Sequence, residues 1–104
     1  SSMWGGEWEL DGNTGLTSAM AEMLVQSFEG EVLLLPALPD AWKDGSLWGI
    51  GIRGGHHMNL TWKDGHPVRM ELLAGQDERI TVRFRETERT VECRAGETAV
   101  LEEF

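Results

Sequence analysis

The sequence predicts a mainly β protein, an antiparallel two-layer β-sandwich with one N-terminal amphipathic α-helix. Three observations carry that prediction. From Glu31 to the end, apolar and polar residues alternate with a period of two, as a half-buried strand requires. Glycine and Asp-Gly turn signals separate these stretches at short intervals, the pattern of a sandwich. Helical periodicity occurs once, with Leu16, Met20, Met23, Leu24 and Phe28 recurring at spacings of three and four.

The elements follow in chain order. Ser1 to Gly15 holds four glycines among polar residues and tryptophans and reads as an irregular or extended arm. The helix begins at Leu16, with Thr14 or Thr17 as its cap and Gly30 as the left-handed residue that ends it. A helix of about thirteen residues is marginal alone, so it must pack on an edge or open face of the sandwich. Glu31 to Leu35 is a short strand stopped by Pro36 and Pro39, each of which fixes φ and lacks a backbone donor. Leu47 to Arg53 places Leu47, Gly49, Gly51 and Arg53 on one face and Trp48, Ile50 and Ile52 on the other. His56 to Trp62 turns Met58, Leu60 and Trp62 to the core, and Asp64-Gly65 supplies a hairpin turn. The return strand directs Val68, Met70 and Leu72 inward, and Ile80, Val82 and Phe84 repeat the pattern. Thr90 to Arg94 and Thr98 to Glu102 close the chain through the turn at Ala95-Gly96-Glu97.

At 104 residues the chain holds one compact core. Eighteen acidic against nine basic residues give a formal charge of −9, which repels a phosphate backbone and excludes nucleic acid as an expected partner. No apolar run approaches the length of a membrane span, so no membrane partner is expected. The compartment is left open. Acidic residues such as Glu86, Glu88, Glu102 and Glu103 are scattered, which fits solvation.

Several residue types that carry chemistry have simpler roles. The one cysteine, Cys93, alternates in phase with Val91 and reads as a small buried hydrophobe. His56 and His57 are adjacent on a strand and point to opposite faces, so with His66 they read as surface histidines near turns, and no metal or other cofactor is expected. The strand glycines precede no helix that would form an anion site. Five tryptophans are many for this length. Trp62 falls in the core stripe and Trp42, between two prolines and a turn, reads as a loop anchor. Trp4 and Trp8, in the arm, are left to cover sandwich surface, contact another chain or stack on sugar rings.

Two motifs are more particular. One is Leu33-Leu34-Leu35-Pro36-Ala37-Leu38-Pro39-Asp40-Ala41-Trp42-Lys43-Asp44-Gly45-Ser46; the other is Asp11-Gly12-Asn13 ahead of the helix. Together they resemble the C-terminal part of family 95 glycoside hydrolases, the inverting α-L-fucosidases. In that family an Asp-Gly-Asn-x-Gly motif introduces a helix closing an (α/α)6 barrel, and a Leu-Pro-Ala-Leu-Pro segment leads into a β-domain. The resemblance implies that residues 1–30 are an arm and helix left from the barrel end, and residues 31–104 the C-terminal sandwich. It also implies that Asp11 belongs to the water-activating machinery of a complete enzyme that hydrolyses terminal α-L-fucosyl linkages with inversion. Asn13 of the same motif, with Trp4 and Trp8, is a candidate substrate contact. The motif departs from the usual pattern at Thr14, where an aromatic residue is common. On the residues alone, Asp11-Gly12-Asn13 equally reads as a turn before a helix.

Inversion needs an acid and a base about 6.5 to 9.5 Å apart with a water between them, and Asp11 alone does not supply both. The expected function is therefore a non-catalytic accessory domain of a fucosidase-like enzyme, partnered by a barrel. A free-standing carbohydrate-binding module, taking an oligosaccharide, and a self-associating homodimer are the alternatives.

Overall fold

The structure, a computed structural model, describes residues 8–11 and 17–104. Its strands are β1 (Trp8–Asp11), β2 (Val25–Phe28), β3 (Glu31–Leu34), β4 (Gly45–Ile52), β5 (His56–Lys63), β6 (His66–Leu73), β7 (Glu78–Phe84), β8 (Thr87–Cys93) and β9 (Thr98–Leu101). One helix, α1 (Ser18–Leu24), precedes β2, and a 3₁₀ turn spans Asp40–Trp42. The strands form a five-stranded sheet in the order β1-β4-β5-β6-β9 and a four-stranded sheet in the order β2-β3-β7-β8. The predicted mainly β two-layer sandwich with one N-terminal helix is what forms. Two strand pairs are parallel, β1 with β4 and β3 with β7, because each joins segments separated by a crossover rather than a hairpin.

The core is one cluster between the sheets, with Trp62, Leu47, Leu60 and Met70 from the larger sheet facing Val32 and Ile80 from the smaller. The alternation at Met58, Leu60 and Trp62, and at Ile80, Val82 and Phe84, is buried as the sequence pattern requires. Cys93 is buried among these residues as a free thiol. Burial pushes the thiol up from its ordinary value, and the carboxylates of Glu78 and Glu92 push it further.

Four local expectations are corrected. The helix is seven residues long and not about thirteen: Thr17 caps it, its Oγ1 accepting from the Met20 N–H at 3.2 Å, but the chain turns extended at Val25. Val25–Phe28 instead pairs antiparallel with Glu31–Leu34, and Gly30 (φ 73°) sits in that hairpin rather than ending a helix. Hairpin pairing buries Val25 on the core and leaves Phe28, the last residue of the supposed helical stripe, 49% exposed. Tertiary pairing overrides a helical period that rests on few residues. The arm, read as irregular or extended, is extended over Trp8–Asp11, which agrees with that reading.

The third and fourth corrections are both bulges. Between Leu47↔Leu60 and Ile50↔Met58, Trp48 and Gly49 together stand against Asn59. The extra residue shifts the alternation, so Leu47, Ile50 and Ile52 all face the core while Trp48 points out. Gly49, at φ 69°, adopts the left-handed conformation that such a kink asks for and that costs a β-carbon-bearing residue. In β6, Thr61 pairs with Arg69 and Trp62 with Pro67, so Val68 is the unpaired residue and is exposed, with Pro67 buried in its place.

Candidate functional site

The motif that begins at Leu33 builds one end of the sandwich. After β3 the chain turns at Leu35, which holds φ 50° while its N–H donates to the Leu24 carbonyl at 2.7 Å. The following loop reaches Trp42, whose carbonyl accepts the indole N–H of Trp62 at 2.6 Å. This satisfies the polar atom of the largest fully buried side chain, as a buried tryptophan needs. Next in sequence, the Lys43 carbonyl accepts from the Gly65 N–H at 2.7 Å, and Asp44 Oδ1 accepts from the Asp64 N–H at 2.6 Å. The Trp-Lys-Asp triplet thus clamps the Asp64-Gly65 hairpin, and the Leu-Pro-Ala-Leu-Pro segment carries it there. Leu33 to Asp40, with Lys43, Asp64, Gly65 and Arg85, lines an open cleft of about 740 Å³ at this end.

The opposite end is closed by an ionisable pair. His56, read from the sequence as a surface histidine, has no solvent exposure. Its Nδ1 accepts the Gly75 N–H at 3.0 Å and its Nε2 lies 2.7 Å from Glu78 Oε1. An accepting Nδ1 assigns the neutral tautomer with the proton on Nε2, donated to the carboxylate. Gly75 is required here, because a β-carbon would come within 2.2 Å of the Gly55 carbonyl oxygen. His57 and His66 do stay exposed, and His66 meets the edge of Phe84 with ring centroids 4.8 Å apart. Among the described residues, no group of three or more His, Cys, Asp or Glu side chains is arranged to hold a metal.

Asp11 is the last residue of β1 and is paired with Trp48, while Trp8 begins the strand opposite Gly45. Trp4 and Asn13 lie outside the described residues. The structure therefore brings Asp11 and Trp8 onto one strand and adds Trp48 beside Asp11, a neighbour that the sequence reading did not single out. Trp48 is 45% exposed.

Beside the bulge runs a polar chain across the outer face. Asn59 Oδ1 accepts from the Gly49 N–H at 2.8 Å, and its Nδ2 donates to Glu71 Oε1 at 3.2 Å. Arg69 donates to Glu71 Oε2 at 3.0 Å and to Glu102 Oε2 at 2.5 Å. The Arg69 guanidinium, and after it the Asn59 amide, hold the Glu71 carboxyl below the usual carboxylate range. On the other sheet Arg83 joins Glu31 and Glu88, and Arg79 joins Glu92. Part of the acidic excess is thus spent in cross-strand pairs, Glu88 and Glu102 included.

The fold defines a class: a β-sandwich domain whose described polar clusters tie strands and turns together. Within that class, residues 26–103 match the C-terminal domain of glycoside hydrolase family 95, and the chain belongs to that family. It is 41% identical to Alpha-L-fucosidase 2 of Arabidopsis thaliana over 70 residues, 66% of this chain and 8% of that protein. It is 35% identical to Probable alpha-fucosidase A of Aspergillus niger over 72 residues, 59% of this chain and 9% of that protein. The protein of the same description from Aspergillus oryzae is 36% identical over 67 residues, 55% of this chain and 9% of that protein. The chain spans less than a tenth of the length of the curated relatives it matches. It is an accessory-type C-terminal β-domain homologous to part of α-fucosidase-like enzymes.

Proposed function

We propose that the domain serves as the non-catalytic C-terminal support of an inverting α-L-fucosidase, with residues 1–30 leading from an (α/α)6 barrel that carries the rest of the active site. The observation that carries this reading is the family match, which runs from Gln26 in β2 through β9 and leaves β1, with Asp11, upstream of it. The described side chains point the same way. His56 and Glu78 are engaged with each other, and Glu31, Glu71, Glu88, Glu92 and Glu102 each face an arginine. On this reading Asp11 acts with groups of a neighbouring barrel in activating water, with Asn13 and Trp8 as adjoining sugar contacts.

The alternative of a sugar-binding module depends on two or more aligned exposed indoles. Of the three tryptophans whose exposure is described, Trp62 is buried, Trp42 is half-buried and Trp48 is highly exposed, so these three form no aligned pair of exposed indoles, which favours the support role. The test is direct. An aryl α-L-fucoside incubated with the 104-residue chain gives no release above a blank, whereas the same chain joined to its barrel turns over and loses that activity on Asp11→Asn. Hydrolysis by the isolated chain that Asp11→Asn abolishes overturns the non-catalytic reading.

A further inference from the structure

We propose that Asn59 is a positioning residue for Asp11: by filling the bulge in β4 it fixes Trp48, the residue of β4 that pairs with Asp11. The functional part of this inference rests on the role proposed above for Asp11; the structural part does not.

β4 makes a ladder on each side. Towards β1 the described pairs run from Trp8↔Gly45 to Asp11↔Trp48. Towards β5 the regular pairing breaks at the same residue, where Trp48 and Gly49 share Asn59 as their opposite number. The β4 residue that pairs with Asp11 is therefore the first residue of the bulge. A bulge leaves a backbone group out of the ladder, and that group needs a partner. Gly49 finds it in the side chain of Asn59 at 2.8 Å.

The amide that does this is itself oriented. Its Nδ2 is spent on Glu71, Glu71 is held by Arg69, and Arg69 is tied to Glu102 just beyond β9. Side chains from β5, β6 and the chain after β9 thus converge on one backbone N–H. Loss of the acceptor favours a regular ladder, in which Gly49 would face Met58 and Ile50 and Ile52 would turn outward. Either that slip or a loosened bulge moves Trp48, and with it the rung under Asp11.

The experiment uses the 104-residue chain, isotopically labelled, in wild-type form, as Asn59→Asp, and as the double variant Asn59→Asp/Glu71→Gln. The single variant sets a carboxylate against Glu71, whereas the double variant exchanges donor and acceptor between the two side chains and rebuilds the chain of bonds. Backbone NOEs joining Glu9, Leu10 and Asp11 to Ser46, Leu47 and Trp48 are expected in the wild type, lost in the single variant and restored in the double. Exchange of the Gly49 amide accelerates about tenfold or more in the single variant and returns in the double. In the enzyme that carries the barrel, the single variant lowers kcat by about 10- to 100-fold with KM within about twofold, and the double variant recovers it. Unchanged NOEs and Gly49 protection in Asn59→Asp, or no recovery in the double variant, overturn the proposal. A barrel-bearing wild type that hydrolyses no fucoside defeats the reading of function, while the NOE and exchange results still decide whether Asn59 sets the register.

Discussion

The two ends of the sandwich are closed by different chemistry. At one end, backbone carbonyls of Trp42 and Lys43 and the carboxylate of Asp44 hold the Trp62 indole and the Asp64-Gly65 turn. At the other, a fully buried imidazole joins Gly75 to Glu78, and backbone bonds tie Ala74 to Gly96 and Glu97. The first clamp is built mostly from groups that do not titrate, on residues contiguous in the chain. The second depends on an ionisable pair: His56 meets Gly75, in the connection between β6 and β7, and Glu78, the first residue of β7. The domain is thus fastened by a sequence motif at one end and by a long-range contact at the other.

Breaking the first clamp should cost most. Trp62→Ala removes the largest fully buried side chain and is expected to lower unfolding free energy by about 3–5 kcal/mol, a large share of the total for a domain of this size. Trp62→Phe keeps most of the ring and removes the N–H donated to the Trp42 carbonyl, so its cost is expected at about 1 kcal/mol. Urea denaturation of both variants separates packing from the hydrogen bond; equal losses would show that the bond to the Trp42 carbonyl, and not the packing of the ring, carries the clamp.

The second clamp comes next. His56→Leu fills the space with a side chain that neither accepts from Gly75 nor donates to Glu78, at an expected cost of about 1–3 kcal/mol for the stranded groups. Long-range ¹H–¹⁵N spectra of the wild type should show the Nε2–H tautomer. A spectrum of the Nδ1–H form would remove the proposed bond from Gly75 and with it the contrast between the ends.

That contrast also explains what could be read in advance. The Asp64-Gly65 hairpin and the Met58, Leu60, Trp62 stripe were legible because their determinants lie within a few residues of one another. His56 was not, since Glu78 lies 22 positions away and nothing local distinguishes a buried imidazole from an exposed one. The outward turn of Trp48 was hidden for a related reason: a bulge breaks the period of two, and Asn59, ten positions from Gly49, had no visible claim on it. Isolated glycines inside a strand pattern are the available signal for such a bulge, and Gly49 carried it. The helix was overextended because Val25 to Phe28 fits a helical stripe until its hairpin partner is known. Asp11 was singled out by resemblance; its pairing with Trp48 depends on a parallel contact that no local pattern encodes.

The smallest expected effect lies between the two ends, on the outer face. Arg69 and Asn59 lower the Glu71 carboxyl below its ordinary value of 4.5, so the native state binds fewer protons than the unfolded chain in that range. The stabilisation from this group is therefore present above pH 4.5 and is lost as the pH falls through the depressed folded value. Glu71→Gln removes the titration, and its stability should fall less steeply than the wild type's below about pH 4.5, the ordinary carboxyl value. Both Arg69 and Glu71 are partly exposed, and screening keeps the difference below that of either clamp variant. Adding salt should narrow it further. If the two acid profiles coincide, the ion pair contributes nothing to stability and the Asn59 amide holds the bulge without help from Arg69. If they diverge, the outer-face chain is energetically continuous from Glu102 to Gly49, and the bulge is fastened from three strands at once.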